Sequence, residues 1–278
     1  VRVAFSCRSA ARGLQIGRVQ KLDGARGLPI DRRVPARVAL ITGGTRGLGR
    51  SIAEALARAG HVPALIYRED SAHADAALQA LAPLAPSARA YRADVSSPED
   101  VEALVARVEA ELGPPAVLVH AAFRSGRAAQ KTHELDVTAW KEDLATNLDG
   151  AFLMARACLP AMIAARFGRL VLVGSLAARG EPGRVAYATA KAALAGLVRT
   201  LAQEYAADGI TANVVSPGFL ETGAFLRLDP QIQERALRRV PSRRAGRADE
   251  VAALIAHLAS DEGGYLTGQV IEVDGGAR

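Results

Sequence analysis

The chain has 278 residues, half of them hydrophobic, which is enough to bury the core of one large α/β domain. Its two cysteines, Cys7 and Cys158, stand in unrelated contexts, which argues against a disulfide framework or a cysteine metal site, and no unbroken apolar run approaches the roughly 18 residues of a membrane span. The net charge of +6 suggests nucleic acid only until the charges are located: residues 1–36 hold eight Arg or Lys and two Asp, so residues 37–278 are neutral and nucleic-acid binding is not expected of them.

Residues 1–36 show no hydrophobic period and read as a basic, disordered N-terminal extension. They are Arg-rich and acid-poor like a transit peptide, yet carry glycines and two aspartates and lack the apolar centre of a secretory signal. A dispensable extension and a targeting or interaction arm therefore both stay open. From residue 37 to 278 the pattern changes to one catalytic domain. An apolar run at 38–41 predicts a buried strand, followed by the glycine turn 42–49 and a helix at 51–59. Strands at 62–67, 88–93 and 117–120 then alternate with helices at 72–84 and 101–112. Ser97-Pro98-Glu99-Asp100 is a strong helix start, with Ser as N-cap, Pro at the first position and acids in the first turn. A long helix at 138–165, a strand at 169–173, a helix at about 187–207 and a strand at 211–216 follow. A loop, a helix at 249–260 and a last strand at 270–273 complete the chain. The fold class predicted is α/β: a single-domain, Rossmann-type, doubly wound parallel sheet with helices on both faces.

In the turn after the first strand, Gly43, Thr45, Arg46, Gly47, Leu48 and Gly49 form a dinucleotide-binding candidate. Glycines there let a pyrophosphate approach the helix N-terminus, where free N–H groups and the helix dipole favour an anion. NAD binding usually places an acid at the end of the second strand, whereas a 2′-phosphate calls for arginine. Here Arg68 ends that strand, with Arg46 as a second cation, so NADP(H) is favoured over NAD(H), although Glu69 and Asp70 could neutralise Arg68. Asp94 and Val95, after the third strand, suit the edge of an adenine ring. Tyr187 and Lys191, four apart, fall on one helix face, where an ammonium beside a phenol pulls the phenol's pKa down toward working pH. Such a phenol can donate a proton to a carbonyl and accept one from an alcohol.

The glycine turn, Asp94, Ser175, Tyr187-x-x-x-Lys191 and Pro217-Gly218, in this order, resemble the short-chain dehydrogenase/reductase family. Asn147-Leu148, Gly168-Arg169, Gly209-Ile210-Thr211-Ala212-Asn213, the run from Pro217 to Thr222, Thr267-Gly268-Gln269 and Val273-Asp274-Gly275-Gly276 look most like its 3-oxoacyl-[acyl-carrier-protein] reductases. The resemblance implies that Tyr187 protonates a carbonyl as hydride arrives from the cofactor. It also implies that Lys191 holds the nicotinamide ribose, that Ser175 hydrogen-bonds the carbonyl oxygen and that Asn147 holds a relay water. Ala121, Pro217, Gly218, Leu220 and Thr222 would line the nicotinamide. The implied reaction is NADPH-dependent reduction of a 3-oxoacyl thioester of acyl carrier protein or coenzyme A, in a cytoplasmic homotetramer or homodimer without a metal. Contacts between copies would involve the helices at 138–165 and 187–207 and the last strand. A ketone or alcohol oxidoreductase acting on a free polyol, sugar, steroid or xenobiotic is the alternative, and a non-catalytic nucleotide-binding scaffold or sensor a remote one.

Two departures from the family pattern stand out. After the fourth strand, members commonly have Asn-Asn-Ala-Gly; here it is His120-Ala121-Ala122-Phe123, with His120 read as structural. Carrier-protein reductases place two arginines at the site's mouth; here Arg166 fills the first position and Asp208 stands at the second, an inversion expected to weaken docking of an acidic carrier. Arginines 227, 235, 238, 239, 243 and 244 form either a compensating basic lid or a solvated helix face.

Overall fold

The structure is a computed structural model that describes residues 36–124 and 129–277, the side chains of residues 223 and 224 excepted. The predicted extension at 1–36 lies outside the described residues, save its last one.

Seven parallel strands form one sheet: β1 (Val38–Thr42), β2 (Val62–Tyr67), β3 (Arg89–Arg92), β4 (Pro115–His120), β5 (Gly168–Val173), β6 (Ile210–Pro217) and β7 (Val270–Val273). Their spatial order is β3-β2-β1-β4-β5-β6-β7. The central strands β1, β5 and β6 are buried along their whole length, β1 through an apolar run and β5 and β6 with Arg169, Thr211, Asn213 and Ser216 buried among apolar residues. Chain direction across the sheet reverses between β1 and β4. The crevice beyond their C-terminal ends is therefore where a ligand of such a sheet binds.

Two helical layers cover the sheet. On one face α3 (Pro98–Leu112), α5 (Gly150–Ala165) and α6 (Val185–Tyr205) bury Val101, Met154, Cys158, Met162, Leu194 and Val198 against the strands. On the other, α1 (Gly47–Arg58), α2 (Ser71–Leu81) and α9 (Ala248–Ala259) bury Ile52, Leu56, Leu81, Ile255 and Leu258. Each such leucine contributes on the order of 2–5 kcal/mol relative to alanine. Ser97 caps α3 as predicted, its side chain accepting the N–H of Asp100 at 3.1 Å.

Three elements differ from the sequence expectation. The α1 helix starts at Gly47, inside the glycine turn. The long helix begins as α4 (Val137–Leu144), widens into a π turn at Ala145–Asp149 and continues as α5. The loop before α9 contains the short helices α7 (Gly223–Leu226) and α8 (Pro230–Leu237), the latter begun by Asp229 as N-cap and Pro230. The stretch Val137–Ala165 is long and apolar enough by composition to cross a membrane, although it holds no unbroken apolar run of that length. Its apolar side packs on the sheet through Met154, Cys158 and Met162.

Candidate active site

The site grows from the C-terminal edge of the sheet. The β1 strand delivers the turn from Gly43 to Gly49. A Cβ on Gly49 would lie 2.1 Å from the Gly43 carbonyl oxygen, so only glycine lets the turn fold back on the first helical residues. Gly47, at φ +52°, has nothing within 4 Å of where a Cβ would point: the N-terminus of α1 opens onto free space, the cradle a pyrophosphate needs. Thr45 and Leu48 pack inward from the turn and Arg46 is exposed.

Beyond β2 and β3 lies a cleft of about 450 Å³ lined by Arg68, Glu69, Arg92, Ala93, Asp94 and Asp100. Arg68 pairs with Glu69 at 2.7 Å, and its backbone carbonyl accepts from Arg92 Nε at 3.0 Å. Burial alone would raise the pKa of Asp94. Hydrogen bonds from the Ser96 hydroxyl and N–H, with Arg68 and Arg124 nearby, hold it below the usual carboxylate range. Both Ser96 bonds use Oδ1. The Val95 side chain belongs to the core, close to Gly150.

At the end of β4, His120 is fully buried. Its Nδ1 lies 3.1 Å from Thr42 Oγ1, which also accepts the Ala122 N–H at 3.0 Å, while the Ala121 N–H bonds the Thr42 carbonyl. The Thr42 hydroxyl thus has a partner on each side, the direction of its bond to Nδ1 following the imidazole tautomer. Nε2 faces the Thr146 backbone without a well-aligned bond. Burial, then the nearby Lys191, bring the His120 pKa down to about 3, so the ring is neutral. Phe123 is largely exposed beyond it.

Ser175, Tyr187, Lys191 and Asn147 come from three further elements. Ser175 follows β5 and starts a 3-10 turn at Leu176–Arg179, its Oγ accepting the Ala177 N–H. It stands beside the Tyr187 hydroxyl and pulls that phenol's pKa downward. Lys191, one helical turn after Tyr187, donates to the Val173 carbonyl at 2.8 Å, and its Nζ lies 5.7 Å from the tyrosine ring centre. Asn147 occupies the π turn, where the widened helix frees its side chain to donate to the carbonyls of Asp143 and Arg124, both at 2.9 Å. Its buried Oδ1 has no protein partner, which is the acceptor an ordered water needs.

The electrostatics correct one expectation. The Tyr187 phenol is held above its ordinary pKa: burial is the dominant cause and outweighs the downward pull of Ser175 and Arg184. Burial also brings Lys191 down to about 7, so that ammonium is weakly charged near neutrality and does not overcome the cost of ionising a buried phenol.

Pro217 ends β6, and the Gly218 N–H bonds the Val273 carbonyl. Leu220 is buried and bridges to Gly246, and Thr222 begins α7, so this loop borders the same crevice. At the far end of α5, Arg166 adopts a left-handed conformation (φ +50°). It pairs with Asp208 at 3.3 Å and donates to the Ala207 carbonyl at 2.6 Å. The two residues that the sequence reading set in opposition are partners. In the segment from 225 to 244, Arg238 pairs with Glu234 and Arg244 with Glu250, both arginines being exposed to solvent.

Sequence reasoning overlooked Arg92, whose signal is its position at the end of the strand beside β2, and Arg184, three residues before Tyr187. Among the described residues no cluster of His, Cys, Asp or Glu could hold a metal ion.

A helix N-terminus, a charged cleft that holds Arg68 and Arg92, and a Ser–Tyr–Lys–Asn set at the switch point of a parallel sheet define an NAD(P)-dependent oxidoreductase of the C=O/CH–OH type. The sequence model described as "Enoyl-(Acyl carrier protein) reductase" matches residues 43–278, and the chain belongs to the short-chain dehydrogenase/reductase family. It is 36% identical over 244 residues to an acetoacetyl-CoA reductase of Allochromatium vinosum, covering 87% of this chain and 98% of that one. It is 36% identical over 243 residues to the 3-oxoacyl-[acyl-carrier-protein] reductase FabG of Escherichia coli, covering 86% and 96%. Identity reaches 38% over 244 residues with an acetoacetyl-CoA reductase of Rhizobium meliloti, covering 87% and 98%.

Proposed function

We propose that the protein reduces the keto group of a 3-oxoacyl thioester to the 3-hydroxyacyl product, with NADPH as reductant. One observation carries the reading: Ser175 stands beside Tyr187 and acts on its phenol, with Lys191 one helical turn further along the same helix, in a chain similar along nearly its whole described length to enzymes named for that chemistry. The Tyr187 hydroxyl gives its proton to the substrate oxygen while Ser175 donates a hydrogen bond to the same atom, so the charge developing there meets two donors. A phenol kept above its ordinary pKa by burial holds its proton until that charge appears. Lys191 would hold the ribose, Asn147 a relay water, and the first turn of α1 the pyrophosphate. Arg46, Arg68 and Arg92 would hold a 2′-phosphate and Asp94 the adenine. The reduced nicotinamide, when bound, supplies the hydride to the carbonyl carbon.

The Arg166–Asp208 pair supports coenzyme A over an acidic carrier protein as bearer of the thioester, because the docking cation is already neutralised. The same proposal includes a homotetramer or homodimer, supported by the exposed Phe152 and Ile163 of α5 and testable by sedimentation. It also includes a cytoplasmic location, testable by fractionation. Steady-state rates with acetoacetyl-CoA, an acetoacetyl carrier protein, crotonoyl-CoA and free ketones, each with NADPH and NADH, test the reading. Acetoacetyl-CoA with NADPH should give the highest kcat/KM. Turnover of free ketones alone would replace it with the small-molecule reading that the altered segment His120–Phe123 favours, and turnover of crotonoyl-CoA alone with enoyl reduction.

A further inference from the structure

Arg184, Tyr187 and Lys191 follow one another at spacings of three and four, which places them in one stripe along the start of α6. Arg184 holds the N-cap position of that helix. Its guanidinium carbon lies 4.4 Å from the centre of the Tyr187 ring, closer than the Lys191 nitrogen at 5.7 Å. Lys191 is buried and spends a hydrogen bond on the Val173 carbonyl. Arg184 is half-buried, and its Nη1 donates to both carboxylate oxygens of Glu181 at 3.1 and 3.3 Å. The backbone fixes the pair as well, the Arg184 N–H bonding the Glu181 carbonyl at 3.1 Å.

We propose that Arg184 is a positioning residue for the proton transfer, a second cation laid on the Tyr187 ring whose influence on the phenol is set by its ion pair with Glu181. The inference rests on Tyr187 being the proton donor. A cation near a phenol favours the phenolate, and an acid beside that cation offsets it, so Arg184 and Glu181 act on the same proton with opposite signs. The charged and titratable groups around the phenol come from several elements. Lys191 and Arg184 lie on α6, Glu181 in the preceding loop, and His120 at the end of β4 faces Lys191. The α4 helix, also packed on α6, carries Glu142 and Asp143, both paired with Arg124. Of these, Arg184 and Glu181 are the half-buried ion pair at the ring.

The experiment compares wild type with Arg184→Gln, Arg184→Lys and Glu181→Gln. The first readout is the tyrosinate ultraviolet absorbance titration of the free protein, taken as the difference from Tyr187→Phe so that the four other tyrosines cancel. The second is the pH profile of kcat for oxidation of the 3-hydroxyacyl product, which requires the ionised phenol. The Tyr187 midpoint should rise by about half to one pH unit in Arg184→Gln, fall by a similar amount in Glu181→Gln and stay near wild type in Arg184→Lys. Superimposed midpoints, shifts of the same sign in the two Gln variants, or a Lys variant that tracks the Gln variant would each overturn the proposal. Absorbance titration needs no turnover. Shifted midpoints in a protein that reduces no thioester would leave the inference standing and remove only the proposed substrate, whereas full activity in Tyr187→Phe would remove the proton-donor role itself.

Discussion

Thr42 Oγ1 lies 3.1 Å from His120 Nδ1 and also accepts the Ala122 N–H, so one side chain at the end of β1 ties down the end of β4 beside the reaction centre. The imidazole is neutral because burial brings its pKa from 6.5 to about 3. Between those values the unfolded chain binds a proton that the native protein refuses, so stability contributed by this site falls as pH drops from about 6.5 toward 3. By pH 5 the loss is about 2 kcal/mol. His120→Asn, which restores the common family residue and cannot titrate, should lose less stability over that range in urea unfolding. Parallel losses in the two proteins would contradict this account of His120.

The proposed preference for NADPH makes Arg68, in the cleft beyond β2, the residue to test. Replacing Arg68 by Asp removes a charge-assisted contact of about 1.5–3 kcal/mol to a 2′-phosphate and supplies an acid for a ribose hydroxyl. The ratio of kcat/KM for NADPH over NADH should fall by about tenfold or more. An unchanged ratio would assign the preference to Arg46 and Arg92 instead.

Two glycines of one turn should fail differently. In Gly49→Ala the new methyl meets backbone at the Gly43 carbonyl, and overpacking of this kind costs on the order of 1–3 kcal/mol. In Gly47→Ala the methyl enters open space, so the fold pays only about 1–2 kcal/mol for its left-handed conformation. The same methyl stands where a pyrophosphate would approach, and the Kd for NADPH, read by fluorescence, should rise by about tenfold or more, a loss of about 1.4 kcal/mol.

Asp208→Ala should remove the counter-charge of Arg166 while leaving its bond to the Ala207 carbonyl. An exposed pair of this type is worth about 0.2–1 kcal/mol, so kcat/KM with an acetoacetyl carrier protein should rise by about two- to fivefold at low salt while that with acetoacetyl-CoA changes little. Equal changes with both substrates would separate Arg166 from carrier docking.

Much of this molecule is legible in the sequence because its signals are local. The strand, glycine turn and helix at 38–58 announce a parallel α/β unit, and the four-residue spacing of Tyr187 and Lys191 puts them on one face. Ser97-Pro98 marks a helix start to the residue. What escaped depends on groups distant in sequence. The π turn at Asn147 is a backbone register change with no composition of its own. The Arg166–Asp208 pair joins residues 42 apart and needs a left-handed residue at the end of α5. The sign of the Tyr187 shift depends on how deeply α6 is buried against the sheet, so a spacing rule that sees only Lys191 misjudges it. Arg92 joins the cleft through the pairing of β2 with β3.

The most direct test of the account is single-turnover reduction of acetoacetyl-CoA by the NADPH-loaded enzyme, comparing wild type with Tyr187→Phe. The substitution removes one hydroxyl and leaves the ring beneath Arg184 in place. Loss of a general acid should slow the chemical step by about 10²–10⁴-fold with little change in NADPH affinity. Reduction at the wild-type rate by the phenylalanine variant would contradict the assignment of Tyr187 as proton donor.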